Sequence, residues 1–263
     1  MPFTSSLLWR FSGQGIEGYL FGSIHLHLPS SKLIVSEVSK YLSVCDTLLT
    51  EIKMEDQKLD PSMILLPDYI ALSTLIDNRR YRRISFIFKK ALDLDIEIQC
   101  RWKPLMLLNL LAAKISGFDL YENTLDQQIY FKASEMGIAN EGLEDFEYHF
   151  GHLDRIPYHV QMQLLNKACK NIKLVKKNFL SLIKAYSKQN IHRIYKSSRR
   201  QLGKWRKPFI NERNHVMINK LLIMPEGRKY FICVGAGHLA GNHGMIALLK
   251  KASFKIEPVH FKQ

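Results

Sequence analysis

The chain has 263 residues, of which 46% are hydrophobic and 11% aromatic, so its composition excludes disorder over the whole length. Its 14 Gly and 9 Pro follow no period, which excludes a collagen-like or low-complexity chain. Lys and Arg outnumber Asp and Glu by 38 to 24, a net charge of +14 that makes a nucleic acid or an anionic surface a partner to consider. The basic clusters at residues 79–83, 176–177 and 196–207 match no known nucleic-acid-binding pattern, so we interpret them mainly as solvated helix faces.

The cysteines and the apolar runs indicate the cellular compartment in which the protein is expected. Four cysteines lie far apart without a C-x-x-C pair, which favours free thiols in a reducing compartment: Cys45, Cys100, Cys169 and Cys233. The N-terminus shows no secretory signal pattern. The most apolar run, residues 104–115, contains Asn109 and Lys114 and is shorter than the roughly 20 residues of a membrane span. We therefore expect a cytoplasmic protein without a transmembrane helix, with export by another route left open.

The first elements predict a βαβ unit. Residues 18–25 are rich in aromatic and β-branched side chains and precede a Pro-Ser-Ser turn. Ser30 or Ser31 is suited to cap a following helix, whose apolar positions recur at helical spacing up to Asp46. Residues 47–52 read as the next strand. Strand, helix and strand in this order are typical of a parallel sheet.

The middle of the chain is predicted to be mainly helical, over about 60–137 and 155–224. Apolar spacing predicts helices over residues 63–75, 84–92, 105–115, 125–136, 158–195 and 208–224, with a short strand within 137–144. The near-continuous apolar run 229–234 predicts a buried strand, followed by a helix over 241–252 and a strand over 254–261. We expect one α/β domain over residues 1–263, with a mostly parallel central sheet formed by both chain ends and a large helical insertion.

Two predicted strands end in the same pattern. An apolar strand followed by G-x-x-H-L occurs at residues 19–26 and again at 232–239, which places His25 and His238 just beyond strand ends. Glu51 and Glu144 follow two further strands. Ligands of open α/β sheets bind at the carboxyl ends of the strands. Imidazole and carboxylate groups there are suited either to bind Zn, Mn, Co or Fe or to act as general bases.

Further residues carry a family resemblance. The segments R-N-H-V-M from Arg213 and V-G-A-G-H-L-A-G-N-H-G from residue 234, with G-S-I-H from residue 22, Glu51 and the G-L-E ending at Glu144, resemble the TraB/PrgY/GumN family. The Tiki metalloproteases are related to that family. The resemblance spans about residues 19–259 and implies a fold similar to that of erythromycin esterase and the ChaN-like proteins. Asp145 and the pair Ser253-Phe254 depart from the family pattern without touching a proposed ligand.

The resemblance implies a metal-dependent hydrolase, of the peptidase or amidase kind. It places His25, Glu51, Glu144, Arg213, Asn214 and His238 at the site. We expect His25, Glu51 and His238 to bind a divalent ion such as Mn, Co or Zn, with Arg213 stabilising an oxyanion. Glu144 would act as general base or orient a histidine.

Several alternatives stay open at this stage. His27 and His243 are candidates to line the pocket, whereas Gly151 argues against a rigid helical pair of His149 and His152 in the cluster that also contains His159. The substrate is expected to be a peptide or small molecule. A non-catalytic protein that binds a peptide or small signal, and a metal-free esterase with a histidine base, are the competing functions.

Overall fold

The sheet determines where the site lies. A computed structural model describes residues 5–56, 64–97, 101–118 and 123–262, except the side chains of residues 152 and 153. These residues contain six strands: β1 (Leu8–Gly13), β2 (Ile16–Ser23), β3 (Thr47–Thr50), β4 (Ala139–Gly142), β5 (Lys229–Gly235) and β6 (Lys255–Val259). They form one sheet in the order β4-β3-β5-β2-β1-β6. The four strands from β4 to β2 are parallel, and β1 runs antiparallel to β2 and β6. The predicted α/β class with a mostly parallel sheet is confirmed.

Ten α-helices are present in the described part of the chain. They are α1 (Ser31–Leu42), α2 (Asn78–Leu92), α3 (Pro104–Ile115), α4 (Leu125–Glu135), α5 (Phe146–Asp154), α6 (Tyr158–Lys170), α7 (Ile172–Tyr186), α8 (Ile191–Leu202), α9 (Arg213–Leu222) and α10 (Met245–Lys251). The side chains of Asp77 and Asn190 cap α2 and α8 by accepting hydrogen bonds from main-chain N–H groups three residues on. None of the helices in this part of the chain is long and apolar enough to cross a membrane.

The chain divides into two compact units. The first comprises Met1–Gln57, Glu122–His149 and Leu182–Gln263 and contains the sheet. Strands β3 and β5 are buried almost throughout because parallel strands are covered on both faces. The second unit comprises Lys58–Tyr121 and Phe150–Ser181. Its core is built from apolar side chains of α2, α3 and α6, among them Ile84, Phe88, Leu107, Leu111 and Leu165.

A hairpin at the N-terminus was not predicted. Strands β1 and β2 are joined by Gln14 and Gly15, which both have positive φ, at 49° and 72°. Two positive φ values suit a two-residue hairpin turn, because the twist of such a turn matches that of the strands. The hairpin makes β1 the antiparallel neighbour of β2. The predicted strand 18–25 is also shifted, since β2 ends at Ser23 and leaves His25 in the following loop.

Three predicted helices differ from the structure. Residues 65–71 are not helical, because Pro67 lacks an N–H and disfavours a helical residue before it; Leu65 instead forms an isolated bridge with Trp102. Residue 63, where this helix was predicted to begin, lies outside the described residues. The predicted helix 158–195 is three helices, α6, α7 and α8. The predicted helix 208–224 begins as a π-helix over Lys207–Glu212 and becomes α-helical only at Arg213.

The cysteines agree in part with expectation. Cys45, Cys169 and Cys233 are buried free thiols, and burial raises the pKa of each. Cys100 lies outside the described residues. Protonated, buried thiols of this kind act as small apolar side chains in a core.

Candidate functional site

The site lies at the carboxyl ends of the parallel strands. Glu51 directly follows β3, and Glu144 lies two residues after β4. The β3–β4 pairing continues past both strands, since the N–H of Glu144 donates to the carbonyl of Glu51 at 2.8 Å. On the other side of β3, Gly235 ends β5 and donates its N–H to Glu51 Oε1 at 2.7 Å. The main chain thus holds Glu51 between its two neighbouring strands.

An arginine joins the two carboxylates. Arg213 is the first residue of α9, and its Nε lies 3.0 Å from both oxygens of Glu144. Its Nη2 donates to Glu144 Oε2 at 2.6 Å and also to Glu51 Oε2. All three side chains are less than 10% exposed. Arg213 is therefore the cation that compensates two buried carboxylates, a pattern that is costly to break.

This pairing controls the ionisation of the carboxylates. Burial disfavours the charged form of Glu51, but Arg213 and the neighbouring imidazoles outweigh it and hold the pKa of Glu51 well below its usual range. Burial likewise opposes ionisation of Glu144, and hydrogen bonds from His149 and Arg213 lower its pKa. Both groups are therefore acceptors, charged at neutral pH, and weak bases.

His149 belongs to this cluster, contrary to the sequence interpretation. Helix α5 forms through Gly151, and it brings His149 Nδ1 to 3.1 Å from Glu144 Oε2 and 2.9 Å from Arg213 Nη2. His149 lies five residues after Glu144, which itself follows a strand. This spacing is the sequence signal that could have identified His149. The side chain of His152 is outside the described set, and His159 lies on α6 in the second unit.

His238 is held in one tautomer by Asn214. The Asn214 amide nitrogen donates to the carbonyls of His238 and His243, at 3.2 and 2.6 Å, so Oδ1 faces His238 Nδ1 at 2.5 Å. An oxygen can only accept there, and Nδ1 therefore carries the proton. Burial lowers the pKa of His238 to about 4, so the ring is neutral at pH 7. Its Nε2 therefore carries a lone pair and lies 3.8 Å from Glu51 Oε1.

His25 is held by a carboxylate. Its Nδ1 lies 3.1 Å from Oδ2 of Asp126 on α4, a residue that sequence reasoning missed because it lies 101 positions away. Asp126 raises the pKa of His25. The His25 side chain is 65% exposed and Asp126 only 15%, so the ring is open to solvent while its partner is covered. A carboxylate on Nδ1 fixes the ring and directs Nε2 away from it.

Three of the predicted site residues converge on Gly235. A Cβ placed on Gly235 would lie 3.3 Å from Glu51 Oε1, 3.7 Å from His25 Nε2 and 3.7 Å from His238 Cδ2. Atoms of the three residues expected as metal ligands therefore lie around the space beside the Gly235 Cα, and the nearest atom of His238 is the ring carbon Cδ2. A side chain on residue 235 would fill this space.

Another group of potential ligands is tighter. Among the residues that the structure describes, Glu51, Glu144 and His149 offer ligand atoms within 4.8 Å of one another. Arg213 Nη2 donates to both carboxylates and lies 2.9 Å from His149 Nδ1, so a cation already compensates the two carboxylates. Glu51 links the two sets of residues: Oε2 faces Arg213, and Oε1 faces Gly235 and His238.

The two remaining candidate histidines lie apart from this centre. His27 Nδ1 is 3.1 Å from the Gln128 amide nitrogen and 3.3 Å from the Asn123 carbonyl. His243 is exposed, with Nδ1 3.3 Å from His215 Nε2, and contributes to the site through its main-chain carbonyl on Asn214.

Fold and site define an α/β protein whose carboxylates and imidazoles meet at the carboxyl ends of parallel strands. Residues 7–258 match the TraB/PrgY/gumN family. The chain belongs to that family. No match was found among curated proteins.

Proposed function

We propose that this chain is a metal-dependent hydrolase of peptide, amide or ester bonds, with a divalent ion held by His25, Glu51 and His238. The observation that carries the proposal is the convergence of these three side chains around Gly235 while the Nδ1 atoms of both imidazoles are engaged by Asp126 and Asn214. Two imidazole nitrogens and a carboxylate oxygen are a donor set suited to Zn, Co or Mn. A ligand imidazole bonded through its other nitrogen to an acceptor is the usual arrangement around such ions.

The electrostatics support the same donor set. The neutral Nε2 of His238 and the charged Oε1 of Glu51 face each other at 3.8 Å without a proton between them. Two acceptors at this distance are stabilised by a cation. His25 contributes differently, because Asp126 raises its pKa and the ion has to displace a proton there. Metal affinity should therefore increase with pH.

A bound divalent ion supplies a Lewis acid that lowers the pKa of a water molecule and polarises a carbonyl group. The protein's own residues position the ligands. Arg213 and Glu144 fix Glu51 so that only its Oε1 faces the site, and His149 holds Glu144. With Nε and Nη2 engaged by carboxylates, Arg213 acts chiefly as a positioning residue. Its Nη1, whose contact with the Phe209 carbonyl is long at 3.4 Å, is the part suited to stabilise an oxyanion.

A metal-free esterase is the second candidate. His25 is exposed and its Nδ1 faces a carboxylate, which is how a general base is oriented in hydrolases. In that mechanism the deprotonated form of His25 takes the proton of an attacking water through Nε2, and Asp126 stabilises the imidazolium. Because Asp126 raises the pKa of His25 to about 9, this form is populated mainly at alkaline pH, so esterase activity should increase with pH. A binding protein without turnover uses the same site residues only to hold its ligand.

Metal content distinguishes these functions. Protein purified without chelator is analysed by elemental mass spectrometry as wild type, as His25→Ala/His238→Ala and as the control His159→Ala/His260→Ala, which removes two exposed histidines outside the site. We expect about one equivalent of Zn, Co or Mn in wild type and control and little in the site variant, with hydrolysis of peptides, amides or esters following the metal. A folded, metal-free protein whose ester hydrolysis needs His25 and Asp126 would instead support the esterase.

A further inference from the structure

A cavity of about 250 Å³ opens beside the candidate site in the sheet unit. It shares His25 and Gly235 with the site. The loops after β2 and β5 form one wall, and the end of α7 with one face of α8 forms the other. At about 30 Å³ per water molecule, the space corresponds to about eight waters, enough for an aliphatic or aromatic side chain.

The walls of the cavity are mainly apolar. The apolar lining residues are Ile24, Leu182, Tyr186, Ile194, Leu202 and Ala236. The hydroxyl of Tyr186 donates to the carbonyl of Gly22 at 2.8 Å, so that polar group is satisfied within the wall. The polar side chains Ser198 and Gln201 are also engaged, with Arg206 Nη1 at 2.7 Å and Ser197 Oγ at 3.3 Å. The buried hydroxyl of Ser23, which also lines the cavity, has no hydrogen-bond partner among the described residues.

Apart from His25, none of the residues that line this cavity carries a charge. Away from His25, a charged ligand group placed there would lose its hydration without gaining a partner, which is unfavourable. An apolar group would gain free energy from burial in proportion to its area. The cavity therefore selects by hydrophobicity.

We infer that this cavity binds an uncharged, apolar side chain of the substrate, next to the bond that is hydrolysed at Gly235 and His25. The inference rests on the proposed function, since it names the substrate class of the same site: peptides, amides or esters with a side chain such as that of Leu or Phe beside the cleaved bond. Continuity of the cavity with the site places that side chain and the reacting carbonyl in one ligand.

Binding is tested without turnover. Metal-loaded protein comprising residues 1–263 and labelled with ¹⁵N is titrated with N-acetyl-L-phenylalaninamide and with N-acetylglycinamide, and amide chemical shifts are recorded. We expect the phenylalanine probe to shift the amides of Ala236, Gly237 and α8 with an affinity about tenfold or more above that of the glycine probe. Equal binding of the two probes, or shifts elsewhere only, would overturn the inference.

Two variants narrow the cavity by different routes. Leu202→Trp enlarges a lining side chain on α8. Gly237→Val adds atoms where a Cβ would meet only Ile210 Cδ1 at 3.9 Å and Ser198 Oγ at 4.0 Å, so the main chain accommodates it. The control Leu33→Trp makes the same leucine-to-tryptophan change at an exposed position on α1. We expect both narrowing variants to lose the preference for phenylalanine, and the control to retain it.

Hydrolysis of a random peptide mixture, read by mass spectrometry, separates this inference from the proposed function. Cleavage beside apolar residues supports both the cavity assignment and the hydrolase, provided that either narrowing variant shifts the cleavage preference toward Gly or Ala. Cleavage without apolar preference, unchanged in the variants, overturns the cavity assignment and leaves the hydrolase. Selective binding of the phenylalanine probe without hydrolysis of any peptide, amide or ester overturns the hydrolase and leaves the cavity assignment in place.

Discussion

The carboxamide of Asn214 determines which nitrogen of His238 faces the site. Both Asn214 amide hydrogens are directed to main-chain carbonyls, so its oxygen receives the Nδ1 proton of His238 at 2.5 Å. The lone pair on Nε2 is then directed toward Glu51 Oε1. A residue on α9, 24 positions earlier in the chain, thus prepares a ligand that follows β5.

Replacing Asn214 should weaken metal binding. Asn214→Asp keeps an acceptor for Nδ1 but removes both amide donors and adds a buried negative charge, which stabilises protonated His238. Because a protonated imidazole competes with the ion, we expect a 10- to 100-fold loss of metal affinity, of the order found when groups that orient metal ligands are changed. Competition with a chromophoric chelator measures it. Asn242→Asp makes the same charge change at an exposed neighbour and should have little effect. Equal affinities for the two variants would mean that neither the amide donors of Asn214 nor the added charge affects the binding of the ion by His238.

Gly235→Ala tests the space between the three proposed ligands. The main chain tolerates alanine, since φ is −55° and ψ is 136°. Its methyl group, however, would lie 3.3 Å from Glu51 Oε1 and 3.7 Å from His25 Nε2. We expect a folded protein with at least tenfold less bound metal at limiting concentration and a matching loss of hydrolysis. Gly237→Ala, where the methyl meets atoms only at 3.9 Å and beyond, should bind metal as the wild type does. Full metal binding by Gly235→Ala would place the ion elsewhere.

Arg213→Met should destabilise the fold. It leaves Glu51 and Glu144 as buried carboxylates without their main cation, so we expect a loss of about 3–5 kcal/mol in the free energy of unfolding, measured by urea denaturation. Lys132→Met breaks the exposed pair with Glu135 and should cost less than about 1 kcal/mol. In the double variant Arg213→Met/Glu144→Gln one uncompensated charge is removed, and part of the stability should return. A loss no larger than that of the Lys132 variant would refute this role.

Stability should fall in acid, partly through His238. Its pKa is about 4 in the folded protein and about 6.5 in the unfolded chain, so between these values the unfolded chain binds a proton that the native protein does not. The free energy of unfolding therefore decreases as the pH falls from about 6.5 to 4. The lowered pKa values of Glu51 and Glu144 add stability above about pH 4.5 that is lost as the pH falls further. His25, whose pKa is raised, contributes in the opposite sense, with stability that is lost as the pH rises through its folded pKa.

His238→Gln isolates this contribution. Urea denaturation with chelator present, from pH 7 to 4, should show a shallower decrease in the variant than in wild type, and His260→Gln, at an exposed position, should follow wild type. Parallel curves for wild type and His238→Gln would mean that His238 titrates normally in the folded protein.

The sequence by itself was sufficient to predict most of the helices and strands and the polar residues that follow the strands. Near-continuous apolar runs identify buried parallel strands such as β5, and residues just beyond such a strand lie at a known edge of the sheet. For this reason the sequence predicts Glu51 and His238 as site residues. The helices α2, α3 and α4 followed from their 3.6-residue period. The missed hairpin and the absent helix over residues 65–71 were within reach of local rules, through the positive-φ turn at Gln14-Gly15 and through Pro67.

Only the tertiary structure decided which side chains pair. Asp126 reaches His25 across 101 residues, Arg213 joins Glu51 and Glu144, and Asn214 fixes the proton on His238. Such partners have no sequence periodicity, because a hydrogen bond depends on the distance between two atoms and not on their separation along the chain. The strand order determines those distances, since it brings β3 next to both β4 and β5 and so gathers carboxylates, arginine and imidazole around one strand end.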